Sequence, residues 1–380
     1  DPVMDAVRQL NDTIEAHGVF GGFSRALLYG YKPTVCIDAS NSLEQKQAVL
    51  GYALDQRAAF FSAVSNTHGC QVVRANTPTN DLHKGFVESE QHPISSGIAA
   101  GVLIEEIRKL AFRYEDLLQD QKLPANRCWQ YNTTHKPLNL SHVRALVVGA
   151  GAIGNYVALS LALLGCKSIH VHDHDTVERT NLNRQILYYG KVGQKKVLAL
   201  QERLQPLSNT RVHPHTNRVG KLRTCDYEWL EQYREHDGSS LSITAYARDA
   251  FGTGPMDYNK LYDVDIVFGC VDNKFARKWM DLYTRLAGVP YVDGGTGPRS
   301  GQCAVMHKDS PTLDDYLMLK YARVRNSCID EPNPSVVMSN MIMGNLMVHQ
   351  GIRTLQGYPV ANGMTRYDIT YPQRIYFAQQ

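Results

Sequence analysis

The sequence predicts an α/β protein organised around a Rossmann-like βαβ unit, and two observations carry this prediction. First, an apolar run at residues 145–148 leads into Gly149-Ala-Gly-Ala-Ile-Gly154 and an apolar, small-residue helix that reaches about Leu164. Second, a short strand from Ser168 to Val171 follows and ends at Asp173. Strand, glycine turn, helix, strand and acidic residue is the order of a nucleotide-binding βαβ unit.

Each glycine of this fingerprint has a separate physical reason. Gly149 permits the tight turn, Gly151 lets the backbone approach a phosphate, and Gly154 lets the helix pack closely on the strand. Asp173 stands where a ribose-binding carboxylate belongs. Taken alone, the fingerprint fits proteins that use NAD, FAD or ATP.

The rest of the second half reads as further α/β structure. Residues 264–271 form an apolar run typical of a buried parallel strand, and Asp272-Asn273 would cap a helix that ends near Leu286. The pattern predicts a strand at 289–292, a glycine-rich bend at 294–301, a closing helix at 336–355 and a final hairpin at 366–377. Two polar stretches, at about 220–260 and 308–334, read as a surface insertion and a long crossover connection.

A pattern near the start of the chain recurs in the second half. Residues 34–41 resemble residues 266–273, with Asn273 placed 232 positions after Asn41. Farther on, Ile107 aligns with Ile352, so the second copy gains a segment that contains Cys328. The first copy has no glycine fingerprint before it and resembles the back half of the same fold. A chance likeness between two strand–helix–strand units is the alternative.

Composition narrows the class of protein. The formal charge of +3 is nearly balanced, which argues against a nucleic-acid or membrane binder that uses a broad basic face. No apolar run is long enough to span a bilayer and no leader opens the chain, so a cytoplasmic location is expected. The 8 cysteines are scattered without a C-x-x-C pair, so neither zinc nor a disulfide scaffold is expected.

The residues after Asp173 are more specific than the fingerprint. The chain continues His-Asp175-Thr-Val-Glu-Arg-Thr-Asn181-Leu-Asn-Arg184-Gln185 and then Val-Gly-Gln-Lys-Lys196. This stretch, together with Asp272-Asn273, resembles the MoeB/ThiF and ubiquitin-activating family. The likeness covers residues 141–380 well and residues 31–115 weakly. It makes a dinucleotide oxidoreductase improbable.

The resemblance implies a Rossmann-like ThiF adenylation fold, an enzyme that uses ATP and Mg²⁺, and a set of site residues. In this family a terminal carboxylate attacks the α-phosphate of ATP and releases pyrophosphate, a reaction that needs cations where negative charge develops. Arg184 and Lys196 are expected at the triphosphate, Asp272 as the metal ligand and Asp173 at the ribose. The remaining nucleotide-site residues are expected to be Gly149, Gly151, Gly154, Asp175, Asn181 and Gln185, with Asn181, Arg184 and Gln185 on one face of a short helix.

The resemblance also predicts two related halves. Residues 1–140 would be a degenerate, inactive adenylation-like domain, because Ser40 takes the place of Asp272 and no glycine loop is present. Residues 141–380 would be the complete, active domain. In two-half members of the family the inactive half lends an arginine to the ATP site. Arg25 is the candidate here, and a structural arginine is the alternative.

Cys328 is the remaining candidate catalytic residue. It lies in Arg325-Asn-Ser-Cys328-Ile-Asp-Glu, before the predicted closing helix. By resemblance to compact thioester-forming members, its thiolate would take the acyl group from the adenylate. An incidental loop cysteine is the equal alternative.

The function that these residues favour is ATP-dependent adenylation of the C-terminus of a ubiquitin-like protein that ends in glycine, in a prokaryotic conjugation system. Thioester formation on Cys328, a conjugating enzyme as partner and a homodimer are left open. Two alternatives stay open as well. One is a ThiF-like enzyme that modifies a precursor peptide of a ribosomal natural product, and the other is a nucleotide-binding scaffold without catalysis.

Overall fold

The computed structural model of the chain describes most of both predicted halves. The described residues are 31–79, 82–83, 92–111, 123–133, 139–216, 264–272, 274–297, 300–308, 310–313, 336–358, 363–368 and 374–379. Among these residues, none of the helices combines the length and the apolarity that a bilayer span requires.

A four-stranded sheet forms the N-terminal part of the structure. Its elements in chain order are β1 (Val35–Asp38), α1 (Leu43–Asp55), β2 (Ala59–Asn66), β3 (Gly69–Ala75), α2 (Pro93–Ala111) and β4 (Arg127–Asn132). The strands pair in sequence order, with β1 parallel to β2 and the later pairs antiparallel. Ser42 caps α1, because its side chain accepts a hydrogen bond from the backbone N–H of Gln45.

An eight-stranded sheet forms the remainder. Its elements are β5 (Arg144–Val148), α3 (Ala152–Leu163), β6 (Ser168–His172), α4 (Lys196–Leu204), β7 (Arg211–His215), β8 (Ile266–Gly269), α5 (Lys274–Ala287), β9 (Tyr291–Thr296), β10 (Ser300–Met306), α6 (Val337–Leu355), β11 (Gly363–Asp368) and β12 (Arg374–Gln379). The strand order is β12-β11-β10-β9-β8-β5-β6-β7. The strands β5 to β9 run parallel, as the predicted βαβ units require.

The strand order reverses between β5 and β8. From β5 the chain builds outward through β6 and β7, and then returns to place β8 on the other side of β5. Ligands of open α/β sheets bind outside the carboxyl ends of the strands at such a switch point. Gly149 follows β5 and Asp272 lies three residues beyond the end of β8, so the predicted site residues flank this crevice.

The two sheets share the repeat that the sequence suggested. Val35 pairs with Ala59 in the first sheet, and Val267 pairs with Tyr291 in the second. The two partners are the same number of residues apart in sequence in both pairs. In each sheet a helix joins this pair, an antiparallel strand follows, and a 19-residue helix comes next.

The helix α6 packs between the two parts of the structure. It contacts α2 of the N-terminal part and α3 of the C-terminal part, and one apolar cluster includes residues from all three helices. The fit depends on small residues, since a Cβ atom at Gly97 would lie 2.2 Å from Asn345 and one at Gly101 would lie 2.6 Å from Ile342. The hydroxyl of Tyr131 on β4 also lies 2.6 Å from Nδ1 of His349.

Two local expectations were wrong. Most of the predicted glycine-rich bend is strand, because Gly294 and Gly295 pair with Cys303 and Gln302 in the hairpin of β9 and β10. The predicted short helix at 181–185 is instead a pair of 3₁₀ turns, Arg179–Asn181 and Ile186–Tyr188. The predicted insertion at 220–260 and almost all of the crossover at 308–334 lie outside the described residues.

The contact at Gly101 provides a test of the helix packing. Replacing Gly101 with Val should push α2 away from Ile342 and lower the free energy of unfolding by about 1–3 kcal/mol, the usual cost of overpacking. Urea denaturation followed by circular dichroism measures this change. Ile104→Val, on the exposed face of the same helix, is the control and should unfold at the same urea concentration as the wild type. Equal midpoints for all three proteins would show that α2 and α6 are not packed this closely.

Candidate active site

The glycine turn after β5 has the tight geometry that its sequence predicts. Gly149 adopts a φ of +96°, and a Cβ atom there would lie 2.6 Å from the carbonyl oxygen of Cys270. A Cβ atom at Gly154 would lie 1.9 Å from the carbonyl oxygen of Gly149. At Gly151, by contrast, no heavy atom lies within 4 Å of the Cβ position. Gly149 and Gly154 are therefore required by packing, whereas Gly151 borders open space.

Asp173 ties the glycine turn to the loop after β6. Its Oδ2 accepts a hydrogen bond of 2.8 Å from the backbone N–H of Ala150, and its Oδ1 accepts one of 2.8 Å from the N–H of Asp175. Each carboxylate oxygen has a second lone pair, so these bonds leave room for a hydroxyl donor. The contact with ribose remains a prediction.

Lys196 lies at the first position of α4 and points back towards the same loop. Its Nζ is 2.8 Å from Oδ2 of Asp175, and its side chain is 8% exposed whereas that of Asp175 is 49% exposed. Burial acts to raise the pKa of Asp175, but the hydrogen bond and charge of Lys196, helped by His174 and Lys195, outweigh it and hold the pKa below its ordinary value. The arrangement places a buried cation beside the glycine turn.

Backbone hydrogen bonds between Val177 and the segment 193–194 hold Lys196 in this position. The N–H of Val177 donates to the carbonyl of Gln194, and the N–H of Gly193 donates to the carbonyl of Val177. Gly193 has a φ of +89°, which a residue with a side chain rarely adopts. The predicted Gly-x-x-Lys spacing therefore has a structural reason: the glycine makes the turn that returns the lysine to Asp175.

Asn181 ends the first 3₁₀ turn, Arg184 and Gln185 lie between the two turns, and the three side chains have different environments. Asn181 is buried and its Oδ1 accepts a hydrogen bond from the N–H of Glu178, which forms a capping box. Gln185 is also buried, and its Oε1 has no hydrogen-bond partner among the described residues. Arg184 is half-buried, and its Nη1 donates to the carbonyl of Thr180 and to Oδ1 of Asn183. The structure thus brings Asn181 and Gln185 into the interior but holds the guanidinium of Arg184 against its own turn.

Asp272 is exposed at the carboxyl end of β8, across the switch point from Asp173. A carboxylate in this position is a suitable ligand for Mg²⁺, which prefers oxygen donors and keeps several of its waters. The side chain of Asp272 acts electrostatically on Arg277, whose Nε donates a 2.9 Å hydrogen bond to the buried Asp293. Burial acts to lower the pKa of Arg277, and Asp293 outweighs it, so the guanidinium stays charged.

Several of these contacts escaped the sequence reasoning. Tyr291 donates a 2.9 Å hydrogen bond to Asp293, which completes a buried network with Arg277 beneath the site. Asn155 and Tyr188 both donate to carbonyl groups of the glycine turn. Asn155 directly follows Gly154, and its polar side chain in a largely apolar helix is the signal that the sequence offers.

Two cysteines of the second sheet are described, whereas three predicted residues are not. Cys270 and Cys303 are buried in the sheet, and burial raises the pKa of Cys303 to about 12, so both are core residues. Cys328 and Arg25 lie outside the described residues, and so does Asn273. The described part of the predicted site therefore consists of the glycine turn, Asp173, Asp175, Asn181, Arg184, Gln185, Lys196 and Asp272.

Comparison with known proteins identifies the family of this fold. Residues 129–379 match the model of the ThiF family. A ubiquitin-activating enzyme E1-like protein of Saccharomyces cerevisiae is 26% identical over 159 residues, which are 42% of this chain and 20% of that protein. The adenylyltransferase and sulfurtransferase uba4 of Aspergillus clavatus is 31% identical over 180 residues, which are 47% of this chain and 30% of that protein. The chain therefore spans less than a third of the length of these relatives.

A solved structure also resembles the chain. E. coli MccB with MccA-N7isoASN superposes with a TM-score of 0.43 and 18% identity, covering 64% of this chain and 65% of that one.

The different surroundings of two glycines generate a prediction about stability. Gly154→Ala should lower the melting temperature by several degrees, because its Cβ atom would collide with a backbone carbonyl that cannot rotate away. Gly151→Ala should leave the melting temperature unchanged, since its Cβ atom meets nothing within 4 Å and its φ of −76° suits alanine. Differential scanning calorimetry of the two variants measures the contrast. A Gly154→Ala protein as stable as the wild type would contradict the close approach of helix and turn.

Proposed function

The chain belongs to the ThiF family, and from that premise we propose that it uses ATP to adenylate a terminal carboxylate. The observation that carries this proposal is the set of groups at the carboxyl ends of β5, β6 and β8. It combines the glycine turn, the buried cation of Lys196 and the exposed carboxylate of Asp272 around one switch point. The glycine turn and Lys196 would suit an anion, Asp173 a sugar hydroxyl, and Asp272 a metal ion.

The glycine turn supplies the phosphate-binding surface. The first backbone N–H groups of α3 have no partners within the helix, and Gly151 at its N-cap provides no side-chain cap. The partial positive charge of the helix N-terminus therefore faces the open space above Gly151. A triphosphate that enters this space replaces the missing cap.

The charged residues account for the chemistry. A carboxylate and a triphosphate repel each other, so the attack on the α-phosphate needs fixed positive charge near the reacting atoms. Lys196 provides such a charge, and Arg184 would add a second after its guanidinium turns from Thr180 towards the phosphates. Asp272 would hold Mg²⁺, which when bound neutralises phosphate charge. The products are the acyl adenylate and pyrophosphate.

The substrate that we propose is the C-terminal glycine of a ubiquitin-like protein in a prokaryotic conjugation system. The names of the relatives support this class, since they include a ubiquitin-activating enzyme E1-like protein and the SUMO-activating enzyme subunit uba-2 of Caenorhabditis elegans, which is 29% identical over 163 residues. A cytoplasmic location and a conjugating enzyme as partner belong to the same proposal. Modification of a precursor peptide is the rival, and the cysteine test below separates the two.

We further propose that residues 1–140 are an inactive half that supports residues 141–380. Ser40 stands 232 positions before Asp272, and its hydroxyl donates a 2.7 Å hydrogen bond to Asp38 instead of facing a metal. Nζ of the fully buried Lys46 lies 2.6 Å from Oδ2 of Asp38, the last residue of β1. Burial lowers the pKa of the nearby His83 to about 3, so this histidine is neutral. Arg25 is proposed as the arginine that this half lends to the nucleotide.

The metal assignment leads to a direct test of the reaction. Asp272→Ala should reduce ATP–pyrophosphate exchange, measured with the carboxyl substrate and Mg²⁺, by about two or more orders of magnitude, because the variant loses its proposed metal carboxylate. Glu44→Ala is the matched control, since it removes an exposed carboxylate from α1 of the other sheet. Exchange at the wild-type rate in Asp272→Ala would refute the metal role of Asp272.

A second test decides how the acyl group leaves. If Cys328 accepts it, ATP and substrate should produce a complex that thiol reductants cleave. Cys328→Ala should abolish that complex and preserve pyrophosphate exchange, because adenylation precedes attack by the thiol. Cys128→Ala, which removes the thiol of an exposed residue on β4, is the control and should retain the complex.

The other outcomes of this test are also informative. Product formation by Cys328→Ala without any reducible complex would favour the peptide-modifying function. A complex that maps to Cys225 would preserve the thioester step and change only the residue.

A further inference from the structure

Two side chains hold the carbonyl groups of the glycine turn from behind. Asn155 Nδ2 donates to the carbonyl of Ala150 at 3.1 Å and to that of Gly151 at 3.0 Å. The hydroxyl of Tyr188 donates to the carbonyl of Ala150 at 2.6 Å. Both side chains are fully buried, so these carbonyl oxygens point into the protein. We call Asn155 and Tyr188 the turn brace.

The brace affects the charge that a phosphate would meet. A loop carbonyl that pointed outward would present partial negative charge to the triphosphate and repel it. Buried side-chain donors on the carbonyl of Ala150 prevent that orientation, and the carbonyl of Gly151 is held by the Asn155 side chain in addition to the backbone N–H of Asn155. The N–H of Ala150 is fixed as well, because it donates to Asp173. Hydrogen bonds within the protein thus hold both the N–H and the carbonyl of Ala150 without a ligand.

Packing alone does not account for Asn155. Its Oδ1 is buried and has no hydrogen-bond partner among the described residues. A buried amide oxygen without a donor destabilises the folded state, and an apolar side chain at this position would avoid that cost. Only the Nδ2 group of Asn155 bonds to the turn, where it donates to the two carbonyls.

The second member of the brace comes from a different part of the chain. Tyr188 ends the 3₁₀ turn Ile186–Tyr188, immediately after Arg184 and Gln185. Its hydroxyl also neighbours the Asn155 amide. The segment that carries the predicted phosphate-binding arginine is thereby joined to the glycine turn by a buried hydrogen bond.

From this geometry we propose that Asn155 and Tyr188 are positioning residues for the phosphate chain of ATP. They keep the carbonyls of Ala150 and Gly151 turned inward, away from the N-terminus of α3 where the phosphates would bind, and they fix the register between the turn and the Arg184 segment. The inference rests on the proposed function, because it assumes that the site accepts ATP. It adds that recognition of the phosphates, and not of the nucleoside, depends on this pair.

The experiment compares the affinities of the full chain for ATP and for adenosine by isothermal titration calorimetry. Tyr188→Phe removes one hydroxyl and should weaken ATP binding about 3- to 10-fold, the usual worth of one such hydrogen bond. Its affinity for adenosine, which has no phosphates, should stay within about 2-fold of the wild type. Asn155→Ser, which shortens the donor, should change the ratio of the two affinities in the same direction.

The chain offers a matched control. Tyr156→Phe removes a buried hydroxyl from the same helix, α3, and that hydroxyl has no hydrogen-bond partner among the described residues. Both affinities should be unchanged in this variant.

The remaining outcomes distinguish the inference from the function on which it rests. Equal losses for ATP and adenosine in Tyr188→Phe, or no loss for ATP in both Tyr188→Phe and Asn155→Ser, would overturn the positioning role while the wild type still bound ATP. If Tyr188→Phe does not fold, Asn155→Ser decides by the same ratio. A wild-type chain that binds neither ligand would overturn the proposed function, and the inference with it.

Discussion

The approach of Gly154 to the carbonyl of Gly149 is the contact on which the site depends. A Cβ atom at Gly154 would lie 1.9 Å from that carbonyl oxygen, and one at Gly149 would lie 2.6 Å from the carbonyl oxygen of Cys270, so α3 begins very close to the end of β5. This position brings Ala150 within hydrogen-bond distance of Asp173, the residue that follows β6. It also places the N-terminus of α3 between the ends of β6 and β8. A wider turn would separate the helix N-terminus from the charged groups on both sides.

The helix α6 connects this site to the N-terminal sheet. Its buried Asn345 accepts a hydrogen bond from Ser160 of α3, and the same side chain lies where a Cβ atom of Gly97 on α2 would be. Because protein interiors are closely packed and compress little, a shift of α2 would move α6, and with it α3. The N-terminal part is therefore connected through packed helices to the helix that begins at the glycine turn.

The sequence predicted what local chemistry determines. The spacing of Gly149, Gly151 and Gly154 predicted the turn, and the apolar runs predicted the parallel strands. Few backbone conformations are compatible with either pattern. The environment of Arg184 was not predictable, because two 3₁₀ turns replace the expected helix and orient its guanidinium towards Thr180. The roles of Asn155 and Tyr188 were also hidden, because they depend on which carbonyl each side chain reaches in three dimensions. The brace thus joins residues that are 33 positions apart in sequence.

The state of the cysteines limits where thiol chemistry can occur. A thiol reacts as its thiolate, and burial disfavours that form. Five of the six described cysteines are buried, and burial raises the pKa of Cys166 to about 12. The exposed one, Cys128, lies on β4 in the other sheet, and burial of its thiol still raises its pKa to about 11. None of the described cysteines therefore combines exposure with an accessible thiolate beside the glycine turn. The thioester step proposed for Cys328 therefore falls outside the described residues, and the described cysteines offer no better candidate for it.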